Sequence, residues 1–211
     1  MVYQLDAEDI WFPKPELADE DGLLAVGGDL SPERLVLAYH YGIFPWFSDA
    51  SPILWYAPLE RFVLYPQKIK ISKSMRQVMR SNKLSVTKNK DFEAVIKACA
   101  SAERKDLPGT WITDMMIEAY LKLHQLDMAH SYEVWQNDVL VGGLYGVLVN
   151  GVFCGESMFS LVSNASKLAL IYVSQESNLE LIDCQMHTAH LESMGGEYIS
   201  QSEYLSVLQK I

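Results

Sequence analysis

VLVNGVFC, residues 147–154, is the most informative stretch of this sequence. Two short apolar runs flank Asn150-Gly151, a pair that strongly favours a two-residue turn between antiparallel strands. We therefore expect Val147–Val149 and Val152–Cys154 to form a β-hairpin. Strand patterns at 130–135 and 139–144, the second running on through Gly146, precede it across an Asn137-Asp138 turn. The hairpin thus belongs to an antiparallel sheet.

Helix and strand patterns alternate on either side of this hairpin. The periodicity predicts further strands at 61–65, 83–87 and 179–185. It predicts helices at 92–99, at 114–125, at 164–175, near His190 and from about Ser202. The order strand, helix, helix, three antiparallel strands, helix, strand, helix resembles the acetyltransferase-like fold of the N-acetyltransferase superfamily. This resemblance implies an α/β (α+β) protein with a mixed, mostly antiparallel sheet.

The first part of the chain has a different character. It is rich in turns and aromatic residues, with Phe44-Pro45-Trp46-Phe47 as an example. One helix is well marked, because Ser31 can cap it, Pro32 suits its first position and Gly42 can end it. We predict a small N-terminal domain over residues 1–62 and a catalytic domain over residues 63–211.

The composition bounds the class of protein. It is 49% hydrophobic and 21% charged, which is ordinary for a globular domain with a real core. No apolar run reaches the roughly 18 residues that span a bilayer, and the N-terminus lacks a signal-peptide pattern. We therefore expect a cytoplasmic protein without a membrane partner. The three cysteines are far apart and are expected to be free thiols: Cys99, Cys154 and Cys184.

The charge is unevenly distributed. The net charge is −10, yet no Asp or Glu occurs from Phe62 to Lys90. This stretch is either a solvated helix face with its flanks or a patch that binds nucleic-acid phosphates. The charge pattern alone leaves both interpretations open. The stretch contains eight of the 17 basic residues: Lys68, Lys70, Lys73, Arg76, Arg80, Lys83, Lys88 and Lys90.

Three carboxyl or amide side chains are candidates for chemistry. Residues two apart on a strand share a face, so Asp183 and Gln185 are expected to point the same way. A carboxylate there could orient the amide, although many such pairs simply face water. Glu156 interrupts an apolar strand, where it either lies at a strand end or serves a cationic ligand. Gly155 beside it would permit a bulge.

Other chemistries lack support in the sequence. His187 and His190 have a helical spacing, but no third ligand pattern accompanies them, so we expect no metal site. No glycine-rich phosphate loop is present. The segment at 160–167, where N-acetyltransferases bind a coenzyme pyrophosphate, contains no glycine, which argues against acetyl-CoA. Trp46, Trp55 and Trp111 are expected in loops or at element ends, where they could stack on bases or belong to the core.

A family resemblance runs through nearly the whole chain. The chain is similar to the bacterial leucyl/phenylalanyl-tRNA–protein transferases, and several of the shared motifs are long and chemically unusual. They are GLLAVGGDLSPERLVLAYHYGIFPWF (22–47), PILWYAP (52–58), GTWIT (109–113), AYLKLH (119–124), AHSYEVW (129–135), LVGGLYG (140–146), FCGESMFS (153–160), NASKLAL (164–170) and LIDCQMHTAHLESMG (181–195).

The resemblance implies an activity and its partners. A monomeric enzyme would transfer Leu or Phe, with Met as a further candidate, from aminoacyl-tRNA to proteins that begin with Arg or Lys. The product would be marked for degradation through the N-end rule. An aminoacyl ester is already activated, so no cofactor is expected. The stretch at 68–83 would hold tRNA phosphates.

The resemblance also implies roles for individual residues. Asp183 and Gln185 would form a catalytic relay, and Glu156 would help to hold the acceptor. Trp46 and Trp111 would hold the terminal adenosine. Where many members have Pro-Arg-Arg, this chain has Ser200-Gln201-Ser202, which lacks two possible phosphate contacts. The pocket for the transferred side chain would be formed by Leu144, Phe153, Met158, Leu170 and Ile182.

Three alternatives remain at the level of sequence. One is an acyltransferase that uses another aminoacyl-tRNA, for example in building cell-wall peptides. The second is a non-enzymatic RNA-binding module, for which the basic stretch would matter and Asp183 would not. The third, an acetyl-CoA enzyme, is disfavoured by the missing glycine turn.

Overall fold

A small sheet forms near the N-terminus of the computed structural model, which describes residues 2–102 and 111–209. Its strand order is β1-β2-β4-β3, with β1 parallel to β2 and the other pairs antiparallel. The predicted helix lies beside it, capped by Ser31 and followed by Gly42 at φ +68°. The elements are β1 (Tyr3–Leu5), β2 (Leu23–Gly27), α1 (Pro32–His40), β3 (Phe44–Pro45) and β4 (Leu54–Tyr56).

A larger, seven-stranded sheet forms the centre of the molecule. Its order is β11-β5-β10-β9-β8-β7-β6, and β10 with β9 is the parallel pair among antiparallel neighbours. This mixed, mostly antiparallel pairing confirms the predicted fold class. The strands are β5 (Glu60–Leu64), β6 (Ser85–Lys88), β7 (Ala129–Gln136), β8 (Val139–Val149), β9 (Val152–Ser160), β10 (Leu181–Asp183) and β11 (Glu197–Ser200).

Helices cover both faces of the large sheet. Side chains alternate along a strand, so Tyr145 of β8 packs in one apolar cluster and Leu144 in the other. The first cluster contains α3 and α4 residues together with Trp55 of the small sheet, and the second contains α5 residues. The helices are α2 (Lys73–Arg80), α3 (Phe92–Ser101), α4 (Asp114–Gln125), α5 (Ala165–Val173), α6 (Ala189–Ser193) and α7 (Gln201–Leu208).

The first cluster joins the small sheet to the large one. Trp55, fully buried in β4, belongs to the same cluster as Phe92 and Tyr145. Its strand position corrects the expectation of a loop or element end. Gln201 of α7 adds polar links, because its side-chain amide donates to the backbone oxygens of Pro15, Ala57 and Pro58. The domain boundary at residue 62 stays a prediction.

Several predicted bounds were wrong. The strand expected at 179–185 ends at Asp183, and Gln185 has a left-handed backbone with φ +58°. The strand at 83–87 begins later, at Ser85, after Asn82 turns the chain at φ +51°. Helix α2 lies in the basic stretch, for which a solvated helix face was one of the two interpretations, and β11 was not predicted.

Candidate active site

A cleft opens where β9 and β10 separate. The two strands pair in parallel as far as Asp183, which lies beside Cys154. There β10 ends, whereas β9 continues to Ser160. The register of β8 and β9 shifts at this point, since Tyr145 faces Ser157 and Gly146 faces Gly155. Glu156 is therefore the extra residue of a β-bulge, as the neighbouring glycine predicted.

Glu156 is a buried carboxylate with three donors. Its Oε1 accepts from Tyr39 Oη at 2.7 Å and from Gln185 Nε2 at 3.0 Å, and its Oε2 accepts from Tyr120 Oη at 3.1 Å. Burial raises the pKa of Glu156 to about 7, even though the hydrogen bonds from Tyr39 and Tyr120 lower it in part. Burial also raises the pKa of both tyrosines, so they remain protonated donors at neutral pH. Glu156 can therefore exchange a proton near neutral pH.

Asp183 is buried against an arginine that sequence reasoning missed. Arg61 Nη1 lies 2.8 Å from Asp183 Oδ2, and each side chain is 2% exposed. The guanidinium also donates to the Gly42 carbonyl, at the end of α1. The rings of Phe44 and Tyr204 lie 4.9 and 4.6 Å from it. The sequence did contain a signal for this ion pair. Arg61 adjoins the apolar run of β5, and a charge that is buried there requires a partner.

Gln185 reaches the same cluster by a route other than the predicted one. It does not share a strand face with Asp183, because the strand has already ended. Its backbone N–H, rather than its side-chain amide, donates to Asp183 Oδ1 at 2.8 Å. Its side-chain amide donates instead to Glu156. Asp183 therefore fixes the backbone of Gln185, while Glu156 holds its side chain.

A cavity of about 240 Å³, here called the apolar cavity, adjoins this polar cluster. It lies between α5 and the large sheet, and Glu156 and Asp183 also reach its wall. The structure thus brings together all five residues expected to hold the transferred side chain. The lining includes Trp111, Leu144, Phe153, Met158, Leu170 and Ile182.

A second cavity of about 540 Å³, the outer cavity, shares Trp111 and Glu156 with the first. Trp46 lines this cavity and lies just after β3, with its ring 5.7 Å from that of Tyr56 in an edge-to-face contact. His187 and Gln185 line it as well. The two tryptophans expected to hold an adenosine therefore lie along one opening, and the polar cluster is at its base.

The basic stretch forms an exposed surface around α2. Met75 packs into the core while the basic side chains stay exposed. Lys68 pairs with Glu197 at 3.1 Å, and Arg76 donates to the carbonyl of Ile71. The six residues expected to meet phosphates are Lys68, Lys70, Lys73, Arg76, Arg80 and Lys83, and all of them are exposed.

Ser200, the first residue of the segment where many relatives were expected to have Pro-Arg-Arg, has a structural role. Its side chain caps α7 by accepting from the Glu203 N–H, and the Glu203 carboxylate accepts from the Ser200 N–H. This reciprocal capping box stabilises the start of α7.

Two of the cysteines and His187 lie in buried or aromatic surroundings. Burial raises the pKa of Cys154 and of Cys184 well above the usual value, which disfavours the reactive thiolate. His187 stacks in an aromatic group with Phe62 and Tyr198. Within residues 2–102 and 111–209, no three His, Cys, Asp or Glu side chains are grouped to hold a metal. In the same ranges no helix is long and apolar enough to cross a bilayer.

Comparisons with known proteins agree along almost the whole chain. The sequence model described as leucyl/phenylalanyl-tRNA protein transferase matches residues 63–209, and the model of that protein's N-terminal domain matches residues 28–59. A leucyl/phenylalanyl-tRNA–protein transferase of Flavobacterium johnsoniae is 52% identical, covering 96% of this chain and 97% of its own length. One from Syntrophus aciditrophicus is 53% identical, covering 95% of this chain and 85% of its own. A solved GCN5-related N-acetyltransferase from Kribbella flavida aligns at 12% identity with a TM-score of 0.39, covering 76% of this chain and 58% of its own.

Proposed function

Since this chain belongs to the leucyl/phenylalanyl-tRNA–protein transferase family, it transfers aminoacyl groups from tRNA to protein. We propose which residues it transfers, which proteins accept them and how the site promotes the reaction. The transferred residue is Leu or Phe, with Met as a further substrate. The acceptor is a protein with an N-terminal Arg or Lys, which the transfer marks for N-end-rule degradation. The enzyme works in the cytoplasm, where charged tRNA is available. A monomer suffices, because one chain supplies every residue of the site.

The observation that carries this proposal is the junction of an apolar cavity with a buried polar cluster. The apolar cavity has the size and lining suited to an apolar side chain that is not branched at Cβ, such as that of Leu, Met or Phe, with Leu144, Met158 and Leu170 among its walls. Added or missing methylenes discriminate only about 10–200-fold. We therefore attribute the exclusion of β-branched residues to steric conflict close to the ester carbonyl.

The outer cavity is where we place the tRNA terminus and the acceptor. Trp46 and Trp111 offer aromatic faces on which the terminal adenosine can stack, at about 1–3 kcal/mol per base. Asp21 also lines this cavity and adds negative charge for a basic acceptor residue. Phosphates further along the tRNA would meet the exposed cations of α2 and its flanks, which position the tRNA without reading its sequence.

The chemistry needs orientation more than strong basicity. The acceptor α-amine has a pKa of about 7.7–8.0, so part of it is neutral at pH 7 and can attack the ester carbonyl. A C–N bond forms, the C–O ester bond breaks, and the tRNA hydroxyl leaves with a proton. Because Gln185 Nε2 faces Glu156, the side-chain oxygen of Gln185 is turned towards the attacking amine and accepts its hydrogen bond.

Asp183 and Glu156 support this amide. Asp183 fixes the Gln185 backbone, and Arg61 keeps Asp183 in place. Glu156 stabilises the positive charge that develops on nitrogen, and it can relay the proton of the amine to the departing tRNA oxygen, because burial raises its pKa to about 7.

Aminoacyl transfer from labelled tRNA tests the proposal. The purified protein is incubated with radiolabelled Leu-tRNA or Phe-tRNA and a peptide beginning with Arg, and in parallel with a twin beginning with Ala. We expect label on the Arg peptide only, and no transfer from Ile-tRNA. Equal labelling of both peptides would refute the acceptor rule. Tight tRNA binding without transfer to either would favour an RNA-binding module or another acceptor.

A further inference from the structure

A third cavity lies behind the apolar cavity. This rear cavity has a volume of about 220 Å³, close to the 240 Å³ of the apolar cavity. Its walls include Leu148, Val173 and Leu179, and its polar end includes Tyr132 and Glu176. The part of the chain that the structure describes contributes one residue, Phe153, to the lining of both cavities. Phe153 is thus the residue that the two cavities share.

The ring is held by close neighbours. It packs on the bare backbone of Gly146, where an added Cβ would come within 2.7 Å of the ring Cζ. The ring of Tyr132 meets it edge to face, with centroids 5.8 Å apart. Phe153 is 2% exposed. Because the ring is confined in this way, it is expected to stay in place when the apolar cavity fills.

The rear cavity has a lining that a larger side chain could use. Its lining combines aliphatic side chains with a polar pair. Tyr132 Oη donates to Glu176 Oε1 at 2.9 Å, and Glu176 Oε2 pairs with Lys88 Nζ at 3.0 Å. A rigid aryl group passing the position of Phe153 would contact the aliphatic side chains, while these polar groups keep their own partners.

We propose that Phe153 sets the upper size limit of the transferred side chain by closing off the rear cavity. Without its ring the two cavities become one, and the enzyme accepts aryl side chains longer than that of Phe, such as 4-phenylphenylalanine. The inference rests on the proposed function, because it assumes that the transferred side chain occupies the apolar cavity.

Competition between acyl groups tests this size limit. Wild type, Phe153→Ala and Phe153→Leu are given tRNA charged with Leu, Phe or 4-phenylphenylalanine, together with the Arg peptide. For wild type we expect the long aryl group to be transferred far more slowly than Phe. For Phe153→Ala we expect the ratio of the 4-phenylphenylalanine transfer rate to the Phe transfer rate to rise by about tenfold or more. For Phe153→Leu we expect a smaller rise. The Leu variant also provides the test if the Ala variant does not fold.

A refilled rear cavity provides the matched control. Val173 lines the rear cavity and not the apolar cavity, so Val173→Phe combined with Phe153→Ala should reverse the gain in the ratio. An unchanged ratio in both single variants, with Leu transfer intact, would overturn the inference. So would a gain that persists in the double variant. Absence of Leu and Phe transfer by the wild type would instead refute the proposed function.

Discussion

The buried Arg61–Asp183 pair should control both stability and rate. Replacing Arg61 with Met keeps most of the side-chain volume and removes the charge. Asp183 then keeps the Gln185 N–H as a donor but loses its cationic partner, in a site where its side chain is 2% exposed. The Gly42 carbonyl, at the end of α1, loses a donor as well. Both losses leave buried polar groups without compensation.

The size of the effect follows from this burial. Removing one partner of a buried ion pair costs about 3–5 kcal/mol, whereas replacing both partners is often close to neutral. We therefore expect Arg61→Met to lower the free energy of unfolding by about 3–5 kcal/mol. Arg61→Met with Asp183→Asn should lose clearly less than the sum of the single variants, because residues in direct contact couple by about 0.5–3 kcal/mol.

Urea unfolding and steady-state kinetics provide the assay. The unfolding slopes must agree among variants for the energies to be compared. In the transfer reaction, kcat should fall because Asp183, without Arg61, no longer holds the Gln185 backbone in a fixed position. KM for the aminoacyl-tRNA should change little, since Arg61 lines neither the apolar nor the outer cavity. A stability loss below about 1 kcal/mol with an unchanged kcat would refute the positioning role of Arg61.

Three further predictions concern separate parts of the molecule. First, burial raises the pKa of Glu156 to about 7, so the folded state favours the protonated carboxyl. The stability that this contributes is fully present below about pH 4 and is lost as the pH rises to 7. Relative to Glu156→Gln, wild type should lose about 3 kcal/mol over that range, and parallel pH curves would contradict this. Second, Arg76→Ala should lower the slope of log tRNA affinity against log salt by about 1, whereas Lys97→Ala, an exposed cation on α3, should not. Third, Gly146→Ala should destabilise the fold by about 1–3 kcal/mol in urea unfolding, because its Cβ would lie 2.3 Å from the Cys154 oxygen. A loss close to zero would show that the sheet adjusts there.

The parts of the fold that depend on local chemistry were predictable. Ser31 caps its helix as expected, and α4 begins after Thr113 as expected; each of the two side chains accepts a hydrogen bond from a backbone N–H of the first turn. The Asn150-Gly151 turn joins β8 to β9, with both residues at positive φ. These features are set within a few residues, so sequence spacing contains most of the required information.

The geometry of the polar cluster was less predictable. The pattern Asp-Cys-Gln suggested one strand face, but a left-handed residue at Gln185 broke the alternation. A non-glycine residue adopts such a conformation when its surroundings require it. Here the requirement comes from Asp183, which accepts the Gln185 backbone N–H, and from Glu156, which holds the side chain. No local pattern reveals a requirement that arises from two other segments.

The N-terminal region is part of the candidate site for the same reason. Tyr39 of α1 donates to Glu156, a residue 117 positions further along the chain, and Gly42 accepts from Arg61. Phe44 and Trp46 then line the outer cavity. A carboxylate buried this deeply requires its donors in order to remain ionisable near neutral pH. Under the proposed mechanism the small sheet and α1 would act on the reaction through Glu156 and Gln185, and we expect that loosening their packing impairs transfer before the large sheet itself unfolds.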